Sequence, residues 1–445
     1  MLAELTQHLF RALRHRNYRL FFSGQLISLV GTWMQSVAES WLVYRLTGSA
    51  ALLGVTSFCS QMPVFLLAPI GGTVADRRNR HRILIATQSV SMVLPLILAL
   101  LTFTGRVRVW HIFLLATCLG VVNAFDIPAR QAFVVEMVGR EDLLNAIALN
   151  SSMVNGARVV GPAVAGILVA AVGEAWCFLL NALSYLAVIA GLLLMRLTPA
   201  SRSRPGSPLR DTIDGFRFVA HTAPVRALLL LLGVVSFSGM PYAVLMPIFA
   251  DSILHGGARG LGMLMAASGL GALGGALGLA ARRGVRGLGR WVAAAAASFG
   301  LALELFSVSR TFWLSVLLLV PVGASMMVQM ASSNTLIQAM VPDSLRGRVM
   351  SVYSMMFLGM APFGGLFAGY MAERIGAPRT VEIGGLICLS AAAVFRLELP
   401  RLRAEARALI VAQGIAGGDP PEEMTGPAEQ VPLQATGAPD PRPRS

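Results

Sequence analysis

The loop Gly72-Thr-Val-Ala-Asp-Arg-Arg-Asn-Arg80 separates two long apolar stretches of the chain. A degraded copy, Gly278-Leu-Ala-Ala-Arg-Arg-Gly-Val-Arg286, separates two apolar stretches in the other half. Glycine, alanine and two arginines recur in register, whereas Arg282 stands where the first copy has Asp76. A charged loop between two membrane spans, repeated once in each half, predicts a duplicated membrane transporter and not a soluble enzyme.

The composition is typical of a membrane protein. Of the 445 residues, 55% are hydrophobic and only 13% are charged, and the mean hydropathy is +0.68. Soluble domains carry about 25% charged residues, so this deficit indicates a chain that crosses the bilayer repeatedly. We predict an all-α integral membrane protein, because helices satisfy their own backbone hydrogen bonds within lipid.

The net charge of +14 does not indicate a nucleic-acid partner. All 36 basic residues are arginines, nearly all of them in short gaps between apolar runs, with little aromatic interleaving. The four cysteines lie inside apolar runs without metal-ligand spacing, so we expect no metal site and no disulfide framework. The sequence shows no phosphate-binding loop and no nucleophile–base pair, and we expect neither a cofactor nor enzymatic activity.

Apolar runs of about 20 to 25 residues, long enough to cross the hydrocarbon core, predict about twelve transmembrane helices. The predicted spans are 20–46, 50–75, 82–104, 109–130, 143–171, 174–197, 224–252, 259–281, 288–308, 311–334, 345–373 and 377–398.

The arginines indicate which side of the membrane each loop faces. Positively charged loops stay in the cytoplasm, and most arginines fall on the side of the N-terminus and of the Gly72–Arg80 loop. The other side holds only Arg45, Arg106, Arg108, Arg259, Arg310, Arg374 and Arg379. We therefore predict a multi-pass protein of the cell inner membrane with both termini in the cytoplasm.

A polar segment divides the chain into two halves. Residues 198–222 are rich in serine, proline and arginine, which predicts a cytoplasmic linker between two six-helix bundles, 1–197 and 223–398. Residues 399–445 are predicted to be a disordered cytoplasmic tail, because proline, glycine and acidic residues predominate towards the end of the chain. The repeat predicts that the two bundles are pseudo-symmetric, with a substrate site between them.

Four segments carry a resemblance to a known family. The pattern Gly72-x-x-Ala-Asp-Arg-x-x-Arg80 between two spans is similar to the conserved loop of the major facilitator superfamily. The segments similar to its bacterial branch of enterobactin and drug exporters are Asp126-Ile-Pro-Ala-Arg-Gln-Ala-Phe133, Asn145-Ala-Ile-Ala-Leu-Asn-Ser151 and Pro342-Asp-Ser-Leu-Arg-Gly-Arg-Val-Met-Ser351. The resemblance covers almost the whole chain. It implies secondary active export of a small amphipathic molecule, drug-like or siderophore-like, by proton antiport and alternating access.

The fifth span resembles the antiporter motif of exporters in that superfamily. The residues that match are Gly161, Pro162 and Gly166, and a related sequence surrounds Pro362 in the eleventh span. The drug-antiporter pattern also places an arginine in the middle of the fourth span, whereas Thr117-Cys-Leu-Gly120 contains none. An arginine at that place is therefore not available for proton coupling.

Gly72, Asp76, Arg77 and Arg80 form the predicted gating loop. The simplest interpretation is an orientation signal, because cationic loops fix topology whatever the mechanism. The alternative is a latch in which Asp76 accepts hydrogen bonds from the N-terminus of a neighbouring helix. The resemblance implies that this helix is the eleventh span, and Arg130 at the end of the fourth span is the candidate salt-bridge partner.

Arg158 lies near mid-depth in the fifth span, about 14 residues from its start at 1.5 Å per residue. A charge there costs at least about 2.5–3.5 kcal/mol, so we expect it to face the protein interior with a partner. Glu39 in the first span is the preferred partner and Asp126 the alternative. Such a pair is either purely structural or functional, with Glu39 taking up a proton or Arg158 binding an anionic substrate group. Asp126 itself is expected near the membrane interface, as a cap at a helix end.

The expected partners are a small-molecule substrate, protons as the coupling ion and the lipid bilayer, and the expected state is a monomer. Three alternatives to export stay open at this point, because a fold does not fix a function. They are a metabolite importer or facilitator, a lysolipid flippase, and a non-transporting sensor or partner subunit on the same fold.

Overall fold

A computed structural model describes residues 10–139, 141–196, 208–282 and 284–413. The side chains of 208–214 lie outside this description, as do Arg140, Arg283, most of the predicted linker and the tail beyond 413. Within the described ranges every regular element is a helix, which confirms the all-α fold class.

Thirteen helices of the described chain, numbered here in chain order, build the fold. They are α1 (Arg16–Thr47), α2 (Ala50–Arg77), α3 (Arg80–Phe103), α4 (Val109–Val138), α5 (Leu143–Val172), α6 (Glu174–Leu193), α7 (Pro208–His221), α8 (Ala223–Ile253), α9 (Gly257–Ala280), α10 (Leu288–Val308), α11 (Phe312–Met340), α12 (Asp343–Ile375) and α13 (Ala377–Ala412).

Eleven of these helices, α2 to α6 and α8 to α13, are long and apolar enough to cross a membrane. The twelfth is α1, whose 32 residues pack against α5 and α6. Its mean hydropathy is lower because polar residues such as Gln25, Ser28 and Gln35 interrupt it, and all three side chains are buried against other helices. Eleven candidate spans in the described chain, with α1 packed among them, agree with the prediction of about twelve.

The charged stretch at 72–80 is almost entirely helical, which corrects its description as a loop. Helix α2 continues to Arg77 and α3 begins at Arg80, so only Arg78 and Asn79 connect them. Asn79 makes so short a connection possible, because its side-chain oxygen accepts a hydrogen bond from the backbone N–H of Arg82 at 3.2 Å and caps α3. We call the face that holds this connection the arginine-rich side, and the other face the opposite side.

The two sets of six spans meet along two helix pairs, α2 with α12 and α5 with α9. On the opposite side both pairs approach backbone to backbone at glycines. A Cβ atom built on Gly54 would lie 2.6 Å from the carbonyl oxygen of Gly365, and one on Gly166 would lie 2.9 Å from Cα of Gly262. Such distances exclude any larger residue, so glycine is what permits this closure.

Polar contacts also close the opposite side. The carboxylate of Glu373, at the end of α12, accepts hydrogen bonds from the Ser49 hydroxyl and from the backbone N–H of Ala51, both at 3.1 Å. It thereby caps the N-terminus of α2 across the boundary between the two sets of spans. The hydroxyls of Tyr44 and Ser252 join α1 to α8 in the same region.

Helix α13 is longer than predicted, because it continues to Ala412 instead of ending near 398. Helix α7, in the predicted linker, packs against the first part of α12. A Cβ on Gly215 of α7 would lie 2.6 Å from the carbonyl oxygen of Arg348, so this contact is again made at a glycine.

Candidate substrate cavity

A cavity of about 260 Å³ lies where the two sets of spans meet. Helices α1, α2, α5, α8, α9, α11 and α12 all contribute to its walls. The residues that line it are Trp33, Ser57, Gln61, Arg158, Pro162, Met240, Pro241, Tyr242, Ala243, Val244, Met265, Ser268, Gly269, Met326 and Ala361. Mostly apolar walls with a few convergent polar groups are typical of a small-molecule site.

Arg158 is the cation of this cavity. Its guanidinium carbon lies 5.0 Å from the ring centroid of Trp33, which is a cation–π contact between α5 and α1. Gly161 makes the contact possible, because a Cβ there would lie only 2.5 Å from Cβ of Trp33. The glycine of the predicted antiporter element thus lets Trp33 sit over the arginine one helical turn away.

The other polar groups of the cavity are neutral. The Tyr242 hydroxyl pairs with the Ser268 hydroxyl at 2.7 Å, and the Gln61 amide donates to the Ser57 hydroxyl at 2.9 Å. Within the described chain no carboxylate lies within salt-bridge distance of Arg158. The arrangement therefore offers one positive charge, aromatic faces and hydroxyls to a ligand that carries an anionic group and apolar surface.

The expected Glu39–Arg158 pair is not formed, and this is a correction. Glu39 lies partly buried in α1, and Arg158 stacks on Trp33 instead. An aromatic ring offers a cation some of the stabilisation that a carboxylate would supply. The alternative partner Asp126 is also excluded, because its carboxylate binds other groups.

Asp126 belongs to a separate, buried polar cluster, which corrects its expected place at a helix end. Its carboxylate accepts hydrogen bonds from Thr87 at 2.8 Å and Gln88 at 2.9 Å, both on α3, and it lies 3.3 Å from the guanidinium of Arg130. Arg130 also donates to Gln25 of α1 at 3.2 Å. Three spans are joined by this network, and Arg130 is engaged there instead of with Asp76.

The charged connection between α2 and α3 is organised around Arg80. Its guanidinium donates to Glu136 at the end of α4 at 2.8 Å and to Asp76 one turn earlier at 3.4 Å. The Asp76 side chain is 47% exposed, and its ion pair in the described structure is with Arg80. Within the described residues Asp76 accepts no hydrogen bond from the N-terminus of α12, so the latch stays a prediction.

A further charged cluster ties the start of the chain to the start of α5. Asp142 lies 2.7 Å from both His15 and Arg11. The hydrogen bond from His15 and the positive charges of Arg11, His15 and Arg14 hold the pKa of the Asp142 carboxyl below its usual range, although desolvation opposes the shift. Because folding lowers the pKa of Asp142, the ionised carboxylate stabilises the folded protein at pH values above the usual pKa of a carboxyl. This stabilisation is lost as the pH falls through the lowered pKa.

Comparison with known proteins identifies the family. The family model of transmembrane secretion effectors matches residues 8–413, which is most of the chain. The chain belongs to the transmembrane secretion effector family. It is similar to the staphyloferrin A transporter of Staphylococcus aureus (strain NCTC 8325 / PS 47), with 28% identity over 381 residues that cover 84% of this chain and 94% of that protein. It is also similar to the enterobactin exporter EntS of Escherichia coli O1:K1 / APEC, with 27% identity over 394 residues that cover 87% and 94%.

Solved structures support the fold of this secretion effector. The nucleoside transporter NupG superimposes with a TM-score of 0.63 at 14% identity, covering 88% of this chain and 98% of that one. A bacterial homologue of the human lysosomal transporter Spinster superimposes with a TM-score of 0.65 at 16% identity, with the same coverage. The chain is therefore a membrane transporter of the major facilitator type, with a staphyloferrin A transporter and an enterobactin exporter among its relatives.

The structure distributes the sequence-predicted residues over three places. Arg158 and Pro162 line the cavity, Gly161 and Gly166 pack the walls against α1 and α9, and Asp126 lies with Arg130 in the buried network. Asp76 and Arg80 form the charged connection, together with Arg77 and Gly72 at the end of α2. A Cβ on Gly72 would meet nothing within 4 Å, so close packing does not require glycine there.

Sequence reasoning missed several residues of these sites. Trp33 and Tyr242 shape the cavity around Arg158, Glu136 anchors Arg80, and Glu373 caps α2. Glu136 and Glu373 were missed because glutamates at the ends of spans are usually solvated. Trp33 carries no distinguishing signal in the sequence, because a tryptophan in an apolar span is equally expected at the membrane interface.

Replacing Asp126 by alanine is expected to destabilise the protein strongly. Removing one partner of a buried ion pair costs about 3–5 kcal/mol, because Arg130 is left without its counter-charge. Asp126→Asn keeps an acceptor for Thr87 and should lower the stability less. The measurement is the thermal unfolding midpoint in detergent. Asp343→Asn is the control, because the Asp343–Arg346 pair is largely solvent-exposed and should contribute little. Equal unfolding midpoints of Asp126→Asn and Asp343→Asn would contradict the prediction.

Proposed function

We propose that this secretion effector exports a small amphipathic molecule with an anionic group, siderophore-like or drug-like, across the bacterial inner membrane. Export proceeds by alternating access and is driven by proton antiport. Both termini and the arginine-rich side face the cytoplasm, as the distribution of arginines predicts. The relatives named as a staphyloferrin A transporter and an enterobactin exporter support the siderophore-like class.

The observation that carries this proposal is the cavity around Arg158. It lies between the two sets of spans, where transporters of this plan hold their substrates. Arg158 has no acidic partner among the described residues, so an anionic substrate group would supply the missing counter-charge. The cavity of about 260 Å³ is somewhat smaller than the roughly 300–1,000 Å³ of typical ligand pockets. A substrate of siderophore size therefore requires it to open towards one side.

An efflux assay tests the function. The full chain is expressed in a pump-deficient bacterial host that is loaded with a panel of siderophores and drugs, with and without a protonophore. We expect export of at least one anionic amphipathic compound, and collapse of that export when the proton gradient is removed. Export that is insensitive to the protonophore would refute proton antiport. Export of no compound would favour an importer, a lysolipid flippase or a non-transporting partner.

Glu39 is the proposed coupling acid, because ionisable residues within a span usually serve function. Glu39→Gln keeps the size and shape of the side chain but cannot release a proton. We expect loss of transport driven by an imposed pH gradient, with counterflow of substrate retained. Both rates are measured in proteoliposomes. A variant that still responds fully to the pH gradient would eliminate Glu39 as the coupling acid.

Asp76 is proposed to latch the cytoplasmic side when that side closes. In the present structure its carboxylate is half-exposed beside Arg80, and closure would bring the N-terminus of α12 within reach. A carboxylate at a helix N-terminus contributes about 0.3–1 kcal/mol, so Asp76→Asn should lower transport roughly twofold to fivefold. The transport rate is normalised to the amount of protein inserted. Wild-type rates at normal insertion would show that the connection serves orientation alone.

A further inference from the structure

A second and larger cavity, of about 710 Å³, lies on the arginine-rich side of the last six spans. The start of α8, the connection from α9 to α10, the end of α11 and the last part of α13 enclose it. Its apolar walls include Leu228, Leu336, Met340, Phe395, Leu399 and Ile410. The same cavity is lined by four arginines, Arg286, Arg290, Arg403 and Arg407.

These four arginines lack acidic partners in the described part of the chain. None of them forms an ion pair there, and no acidic residue is among those that line the cavity. Glu398 of α13 pairs with Arg401, and neither of these residues lines the cavity. Four positive charges around one space repel each other, so the site favours an anionic occupant.

The second copy of the repeated motif explains why Arg286, the counterpart of Arg80, is unpaired. In the first copy, Arg80 is held by Asp76 and Glu136. In the second copy Arg282 replaces the acid, and it stacks on Trp291 with its guanidinium carbon 4.8 Å from the ring centroid. The end of α11, which corresponds to the end of α4, contributes Leu336 and Met340 to the cavity. An apolar space with free arginines thus replaces an ion-pair cluster.

The length of α13 places the cavity at the edge of the membrane. Its 36 residues extend about 54 Å at 1.5 Å per residue, whereas the hydrocarbon core is about 30 Å thick. Starting from Ala377 on the opposite side, the helix leaves the core near Phe395 and Leu399. By the same count Arg403 and Arg407 lie about 9 and 15 Å beyond the core, at and just outside the lipid headgroups.

We propose that this cavity binds one anionic phospholipid of the cytoplasmic leaflet. Its phosphate lies among the four arginines, and an acyl chain lies against the apolar ends of α8, α11 and α13. Basic pockets between spans on this side of a membrane are suited to anionic headgroups. The acidic tail beyond residue 413 is the competing occupant. The lipid is favoured because the walls are partly apolar and partly basic, which suits an acyl chain joined to a phosphate. The tail contains few large apolar residues that could fill the apolar part.

The test measures lipid binding to the purified full chain. Delipidated protein is titrated with phosphatidylglycerol or with phosphatidylcholine of the same acyl chains, and native mass spectrometry counts the bound lipid. We expect preference for phosphatidylglycerol. Each arginine near a headgroup should contribute a factor of about five in affinity, so Arg403→Gln/Arg407→Gln should bind about 30-fold more weakly. The matched control is Arg16→Gln/Arg19→Gln, which removes two exposed charges from the same side of the other half and should leave binding unchanged.

Two further variants separate the lipid from other anions. Ala406→Trp fills the cavity without changing its charge, and should abolish binding of phosphatidylglycerol. If Ala406→Trp binds it normally, or if inorganic phosphate displaces it at equal concentration, the site recognises phosphate alone and the proposal fails. Glu422→Gln/Glu423→Gln neutralises two tail acids and should leave the affinity unchanged. An increase would identify the tail as the occupant, and equal binding of the two lipids would overturn the proposal directly.

Discussion

Replacing Arg158 by glutamine is expected to abolish export of an anionic substrate while the protein still folds and inserts. Losing one partner of a buried, hydrogen-bonded charge pair costs about 2–5 kcal/mol, so substrate affinity should fall at least about 30-fold. Folding should be spared, because Arg158 has no acidic partner that would be left unpaired in the described structure. Substrate binding to purified protein and export from cells are both measured.

The controls for Arg158 distinguish charge from shape. Arg158→Lys keeps the charge but loses the planar stack on Trp33, and should retain part of the affinity. Arg106→Gln removes an exposed charge from a connection on the opposite side and should have no effect. Gly161→Ala should weaken binding by displacing Trp33, whereas Gly156→Ala in the same helix meets no atom within 4 Å and should be neutral. Normal substrate affinity in Arg158→Gln would remove the observation on which the proposed function rests.

Replacing Gly54 by leucine is expected to stop transport by preventing closure of the opposite side. A Cβ at this position already lies 2.6 Å from the carbonyl oxygen of Gly365, and backbone atoms cannot move aside as a flexible side chain can. Overpacking costs about 1–3 kcal/mol, so the closed population should fall between about fivefold and more than a hundredfold. The equilibrium then shifts towards a state that is open on the opposite side.

Crosslinking reports this shift directly. The hydroxyls of Tyr44 and Ser252 are in contact across the closed side. A flexible bifunctional maleimide should therefore join cysteines at these two positions readily, in a protein whose four native cysteines are replaced. We expect the crosslink to be lost with Gly54→Leu. Gly274→Leu is the matched control, because a side chain there meets nothing within 4 Å and the residue is exposed. Undiminished crosslinking in Gly54→Leu would show that the glycine contact does not control closure.

The fold was largely predictable, whereas the site was predictable only in its charged members. Span positions follow from runs of apolar residues, and predicted and observed helices overlap throughout the described chain. Arg158 stood out because a mid-span charge is costly. Its partner did not, because depth in the membrane favoured Glu39 and could not show that the guanidinium stacks on Trp33 instead. The sequence shows that the second copy of the repeated motif has Arg282 in place of an acid. It does not show that a cavity lies beside Arg286 and Arg290.

The sequence by itself determined the class of protein, the number of spans and the repeat, because hydrophobicity and charge act locally along the chain and each span needs only its own residues to be recognised. Tertiary structure decided which side chains meet. Arg158 stacks on Trp33, and Asp126 binds Arg130, Thr87 and Gln88. The rotation of each helix and its distance from the next are set by backbone contacts at glycines such as Gly161 and Gly54. Those contacts join residues far apart in the chain, and no local pattern records which helix a glycine will face.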